Sequence, residues 1–212
     1  MNMQNFSDRL IAEFDRGLRT LTKSSRSAQR ANPAETIEEN DLSENDAQLS
    51  GRLMRVNHAG EIAAQGLYHG QALTAKDNIT LTQMKVSAKE EEDHLAWCEQ
   101  RLNDLQTPRS LISPLWYIGS YTIGATAGLF GDRWSLGFVA ETEDQVEKHL
   151  DNHLQKLPSQ DKKSRAIIEK MKADEQQHGQ AARDLGGHPL PAPVQKTMQL
   201  VSKVMTTGAY WI

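Results

Sequence analysis

Along residues 79 to 105 the positions Leu81, Met84, Ala88, Glu91, Leu95, Cys98, Leu102 and Leu105 follow one another at steps of three and four, and one of them is a carboxylate. Such steps keep side chains on one helix face, so the pattern predicts a helix with a buried seam that a Glu interrupts. A second seam runs through Leu136, Val139, Glu143, Val146, Leu150, His153 and Leu157 in a helix expected over 133 to 157. A third takes Ile168, Met171, Glu175, His178, Ala182 and Leu185 in a helix over 161 to 185, which Gly186 and Gly187 stop. The segment from 50 to 76 also reads as helix, but its track Met54, Asn57, Glu61, Ala64, Tyr68 is small and polar and leaves the inward face undefined.

The flanking stretches have different textures. Ser7 is positioned to cap a short helix in which Phe6, Leu10, Phe14 and Leu18 form a narrow stripe, suited to docking on a core or a membrane. Thr22 to about Ser50 is polar and reads as linker. Ser110 to Gly131 is a run of 22 residues without a formal charge. That is long enough for a membrane span, which needs about 20 apolar residues, yet Pro114, glycines and hydroxyls dilute it. A span would also put the two flanking helices on opposite sides of a bilayer, where their carboxylates could never meet. The run is therefore expected to be a mostly helical crossover over the bundle or partly sunk in a membrane interface. At the end of the chain Val194, Met198, Val201 and Met205 share a face that covers the bundle or grips a membrane. The expected fold is all-α: a ferritin-like four-helix bundle with a long, largely apolar helical crossover between its second and third helices. Residues 1–49 would be a polar N-terminal extension with one short amphipathic helix, and 50–212 the ferritin-like domain.

Composition narrows the function. The 212 residues are 38% hydrophobic and 25% charged, enough for a real core, and the net charge of -4 is spread along the chain. No block of Lys and Arg is interleaved with aromatics, which argues against nucleic acid as a partner. A single cysteine, Cys98, rules out an intrachain disulfide and suits a reducing compartment. It sits at an apolar seam position and reads as an inert small hydrophobe. Acidic residues interrupt the first 17 residues where a signal peptide would be apolar, so a cytoplasmic location is expected.

The seam carboxylates carry the chemistry. A buried, isolated carboxylate costs several kcal/mol or becomes protonated, and no Lys or Arg lies on these seams to pair with it. A metal could satisfy several at once. Glu91 with His94, and Glu175 with His178, are Glu-x-x-His pairs whose members are neighbours on a helix surface. Each pair follows a lone Glu, Glu61 thirty residues before Glu91 and Glu143 thirty-two before Glu175. Packed antiparallel, the halves would assemble four carboxylates and two imidazoles, the ligand set of dinuclear carboxylate bundles. Mixed oxygen and nitrogen ligands favour iron or manganese over zinc, calcium or magnesium. The competing reading turns the helices so that these acids lie on solvated faces, as the run Glu90, Glu91, Glu92 would allow. On the helix period Glu90, Glu92 and Asp174 read as solvated neighbours of the ligands. His149 is a candidate to hydrogen-bond a ligand carboxylate from outside. His153 is a weaker candidate for the same role and reads first as a packed or surface histidine, Tyr68 reads as core or as lining the site, and His58 reads as structural.

NHAGE around Glu61, KEEEDHL around Glu91, ETEDQVEKHL around Glu143, DEQQHG around Glu175 and the tail SKVMTTGAYWI together resemble the bacterial demethoxyubiquinone hydroxylases of ubiquinone biosynthesis. The resemblance covers residues from about 50 to the end. It implies two iron ions per chain, one held by Glu61 and His94, the other by Glu143 and His178, with Glu91 and Glu175 bridging. His149 matches a family histidine near the site, and Leu150 stands where some members carry a tyrosine. The resemblance further implies a monooxygenase at the cytoplasmic face of the cell membrane, peripherally bound. Its substrates would be a prenylated quinol and O2, with one oxygen atom inserted into the ring and the other released as water. No dinucleotide fingerprint is present, so an external electron donor is expected, and other ubiquinone-biosynthesis proteins are expected associates. The alternatives are another ferritin-like di-iron oxidase or ferroxidase, and a metal-free helical scaffold on membranes.

Overall fold

The computed structural model describes residues 6–22, 28–38 and 41–212, and all regular structure among them is helical. The helices are α1 Phe6–Thr22, α2 Glu44–Thr74, α3 Asn78–Asp104, α4 Ser113–Leu129, α5 Asp132–Lys156, α6 Lys162–Asp184 and α7 Ala192–Trp211. Three of the expected helices appear within two residues of their expected ends. α2 differs: it starts at Glu44 because the Ser43 hydroxyl accepts the Asp46 N–H at 3.2 Å, a cap inside the stretch read as linker. Asp77 caps α3 through the Thr80 N–H, and Asp161 caps α6 through the Ser164 N–H while also receiving the buried Arg101 guanidinium.

The seams of α3, α5 and α6 point inward as their period requires, and Met84, Leu95, Leu102, Leu136, Leu150, Ile168 and Met171 are all fully buried. Leu185 is an exception. It caps α6 at the very end and stays 39% exposed. α2 is buried almost all round between Ser50 and Gln71, which explains why its sequence shows no single apolar stripe. Its outer side is covered by α4, which runs parallel to it at backbone contact. A Cβ on Gly66 or Gly70 would lie 2.5 or 2.1 Å from the Tyr117 or Tyr121 carbonyl oxygen, and one on Gly124 would lie 2.2 Å from that of Leu67. Gly131, at φ +109°, turns the chain from α4 into α5, a conformation that favours glycine.

α7 returns across α2, and its end is anchored by Arg55, which donates to the carbonyls of Ala209 (2.8 Å) and Tyr210 (2.5 Å). α1 lies against α2 and α4, but not on the expected stripe. Phe14 and Leu18 are exposed while Gly17 and Thr20 are buried, because only the small Gly17 can sit against the Tyr117 ring. The side chains of Phe6 and Leu10, and the Ser7 cap, lie outside the described residues. No helix among the described residues is long and apolar enough to cross a membrane.

Candidate metal centre

Four helices each bring one carboxylate to the middle of the bundle: Glu61 from α2, Glu91 from α3, Glu143 from α5 and Glu175 from α6. His94 and His178 accompany the second and fourth, and all six are buried. Single ligand atoms of Glu61, Glu91, His94 and Glu175 lie within 4.8 Å of one another, as do those of Glu143, Glu175 and His178. The solvated-face reading of these acids is thereby removed.

The geometry is nearly two-fold. Glu91 directs Oε2 to His94 Nδ1 at 2.9 Å and Oε1 to His178 Nδ1 at 3.1 Å. Glu175 directs Oε1 to His94 Nδ1 at 3.3 Å and Oε2 to His178 Nδ1 at 3.3 Å. Each of these two carboxylates therefore spans both imidazoles. Glu61 approaches only His94, at 3.8 Å. One Nδ1 cannot donate to three oxygens at once, and Glu91 Oε1 is buried without an aligned hydrogen bond. Lone pairs converging on a common point are what a hard or borderline cation requires, so the donor set fits metal, iron included.

Protonation shows the same demand for positive charge. Burial, reinforced by the Glu91 and Glu175 carboxylates, raises Glu61 and Glu143 well above the ordinary range. Burial would raise Glu91 too, but His94 and His178 outweigh it and hold that carboxyl well below. Both imidazoles go up against the opposing effect of burial: His94 is raised by Glu91 and its other acidic neighbours, and His178 is pushed up to about 12 by Glu175 and Glu91.

The outer contacts correct the reading of Asp174 as a solvated neighbour and add a role for Glu90, which is partly solvated as expected. His94 Nε2 meets Asp174 Oδ2 at 3.0 Å, and His178 Nε2 meets Glu90 Oε2 at 2.5 Å. Each imidazole is thus held from behind by the acid that precedes the spanning Glu of the other helix. Such a contact fixes the tautomer and turns the Nδ1 lone pair inward. The signal was present as an acid before Glu-x-x-His in both motifs. Glu92 is exposed, as expected. Tyr68, read as core or as lining the site, is both: it is fully buried and its hydroxyl donates to Glu143. His149 lines a small cavity with Glu61, Glu143 and Glu175, but no hydrogen bond joins it to a carboxylate among the described residues. Burial, with Lys156 nearby, lowers its pKa to about 4, so the ring is neutral at neutral pH. Cys98 is buried with its Sγ 3.7 Å from Met171 Sδ, and burial pushes the thiol up, in keeping with an inert role.

The small cavity, of about 50 Å³, is the innermost of three adjoining cavities that share lining residues and mark the course of an apolar passage. Gly60, Ala64, Val146 and Met205 line both it and a middle chamber of about 320 Å³. Ile123, Phe138 and Val194 join that chamber to an open cavity of about 450 Å³ between α4, α5 and the start of α7. Val194, Met198, Val201 and Met205, the face of α7 visible in the sequence, all line the middle chamber.

A helical bundle with a buried, doubly spanned cluster of carboxylates and imidazoles belongs to the class of carboxylate–histidine metal-binding bundles. Residues 48–209 match the family model described as ubiquinone biosynthesis protein COQ7. The chain is 54% identical over 207 residues to the 3-demethoxyubiquinol 3-hydroxylase of Cupriavidus necator, covering 97% of this chain and 100% of the relative. It is 53% identical over 205 residues to that of Nitrosococcus oceani, covering 97% and 96%, and 52% identical over 205 residues to that of Acinetobacter baumannii, covering 97% of both. The chain belongs to the COQ7 family of ubiquinone biosynthesis.

Proposed function

We propose that this protein is a di-iron monooxygenase that hydroxylates the ring of a prenylated demethoxyubiquinol with O2. Glu61 and His94 would hold one iron, Glu143 and His178 the other, and Glu91 and Glu175 both. Bound iron would supply the oxidising power and the O2 chemistry. The single observation that carries the reading is the passage: its apolar walls end on Glu61, Glu143 and Glu175. A storage ferroxidase has no use for adjoining apolar cavities of about 320 and 450 Å³ leading toward the ligands.

The protein's own residues supply geometry and exclusion of water. Asp174 and Glu90 orient the two imidazoles, and Tyr68 fixes Glu143 at the inner end of the passage. Met205, Val146 and Ala64 line the chamber where the ring would sit, keeping it dry. Leu115, Ile118, Leu129 and Phe130 of the α4 segment and Leu200 and Val204 of α7 are exposed apolar residues on the two helices that border the passage. That supports peripheral binding to a lipid surface, with the prenyl tail left in lipid; the cytoplasmic face of the cell membrane is the proposed location. Electrons would come from an external donor, and the same apolar surface could serve association with other ubiquinone-biosynthesis proteins.

Quinone profiling of a strain lacking the gene tests the assignment. Accumulation of the demethoxy precursor, reversed by the intact gene, is expected; an unchanged quinone profile would reject it.

A further inference from the structure

The near two-fold symmetry of the ligands is not matched behind them. Glu90, which holds His178, is 41% exposed at its side chain, and no Lys or Arg side chain pairs with its carboxylate among the described residues. Asp174, which holds His94, is 5% exposed and sits between two cations. Lys170, one turn earlier on α6, reaches its Oδ1 at 2.5 Å. Arg30 reaches Oδ2, the oxygen that also meets His94 Nε2, at 2.8 Å.

Arg30 comes from the polar segment ahead of α2, outside the part that matches the family model. Its guanidinium uses several faces of the fork at once. Nε donates to Asp93 Oδ2 at 2.7 Å, Nη1 to Asp174, and Nη2 to the Glu90 carbonyl at 3.3 Å. The neighbouring Gln29 N–H donates to the other Asp93 oxygen at 2.6 Å. The guanidinium also lies 5.0 Å from the centre of the Trp97 ring, which in turn rests 5.4 Å from His94. A planar fork of this kind fixes direction in a way a point charge does not. It ties α3 to α6, and of the two carboxylates behind the imidazoles it grips only that of Asp174, reaching Glu90 at its backbone carbonyl alone.

We propose that Arg30 is a positioning residue of the metal centre: by clamping Asp174 it orients His94 and makes the Glu61–His94 metal position different from the Glu143–His178 one. The inference rests on the di-iron reading. Without Arg30, the only other cationic side chain on Asp174 besides His94 is Lys170, which holds the opposite oxygen, so the oxygen facing His94 Nε2 is no longer fixed in direction. Outer partners of metal-bound imidazoles typically matter by about 10- to 100-fold in metal affinity. Arg30 acts one contact further out, so an effect near the lower edge, about tenfold, is expected.

The test is anaerobic ferrous titration of the full chain, with Mössbauer spectra of the 57Fe-loaded protein. Arg30→Gln is expected to weaken one of two binding steps about tenfold and to alter one of two ferrous signals. Arg30→Lys, which can reach Asp93 or Asp174 but not fork between them, should alter the same signal by less, and it carries the test if the Gln variant fails to fold. Asn32→Ala releases the same segment from Gln100, to which Asn32 donates at 2.8 Å, without touching Asp174. It should leave both signals and both steps unchanged. Equal changes at both iron positions, no change in the Arg30 variants, or the same change with Asn32→Ala would overturn the proposal. A wild-type chain that takes up no ferrous iron would overturn the di-iron reading itself, and this inference with it.

Discussion

Glu143 illustrates how a single residue ties the cluster together: it takes a seam position in α5, receives the Tyr68 hydroxyl and lines the inner cavity. Glu143→Ala is expected to lower bound iron from about two per chain to about one, measured by metal analysis after aerobic purification, because Glu61, His94 and the spanning carboxylates still define the other position. Fewer than about one iron per chain in the wild type, unchanged by the substitution, would refute the di-iron assignment. The titrating groups predict a pH dependence for the metal-free protein. Glu61, Glu143, His94 and His178 all have pKa values raised by the fold, so the folded state binds more protons than the unfolded one and stability falls as pH rises. The carboxyl contribution starts to be lost above the unfolded carboxyl range. The imidazole contribution is complete below about 6.5 and is lost as pH climbs toward the folded value of about 12 for His178. Glu91, whose pKa is depressed, works oppositely in the acid range, and His69, His149 and His153, lowered to about 3, 4 and 2 by burial, work oppositely only up to just above about 6.5, so beyond that the loss from His94 and His178 prevails. The metal-free protein should therefore melt at a lower temperature at pH 9 than at pH 6, and iron uptake should release protons. A metal-free melting temperature higher at pH 9 would contradict this assignment of charge.

At the scale of elements, the α2–α4 contact separates two opposed effects of one substitution. Gly to Ala inside a helix normally stabilises by up to about 1 kcal/mol. At Gly70 the new Cβ would meet the Tyr121 carbonyl oxygen at 2.1 Å, so the helices must part, and overpacking of this kind costs about 1 to 3 kcal/mol. At Gly60 a Cβ meets nothing within 4 Å. Urea unfolding should then show Gly70→Ala as destabilised and Gly60→Ala as neutral or slightly stabilised. Equal effects would mean that α4 does not pack on α2 at backbone contact. Periodicity made α3, α5 and α6 legible because each buries one stripe. It failed for α2, which is covered on several sides, and for α1, where the small Gly17 and not the larger Phe14 decides the docked face.

For the whole molecule, α4 and α7 carry exposed apolar residues, Phe130 among them at the outer cavity, and no helix among the described residues is long and apolar enough to span a bilayer. Binding to lipid would therefore be peripheral. Leu115→Asp with Phe130→Asp is expected to reduce cosedimentation with anionic phospholipid vesicles severalfold while leaving iron content unchanged. Equal sedimentation of the variant and the parent chain would assign that surface to something other than lipid.

The six ligand candidates were legible in the sequence because a seam repeats every three or four residues and a carboxylate on it stands out against its apolar neighbours. The roles of Glu90, Asp174 and Arg30 were not, although the two acids hold the imidazoles and Arg30 clamps one of those acids. Their partners lie on other helices, and an acid on a helix surface or an arginine in a polar segment looks the same in sequence whether it faces water or a neighbour. The passage likewise exists only between α2, α4, α5 and α7. Local periodicity, a property of one helix, determined which residues point inward; the approach of one helix to another determined which of them meet.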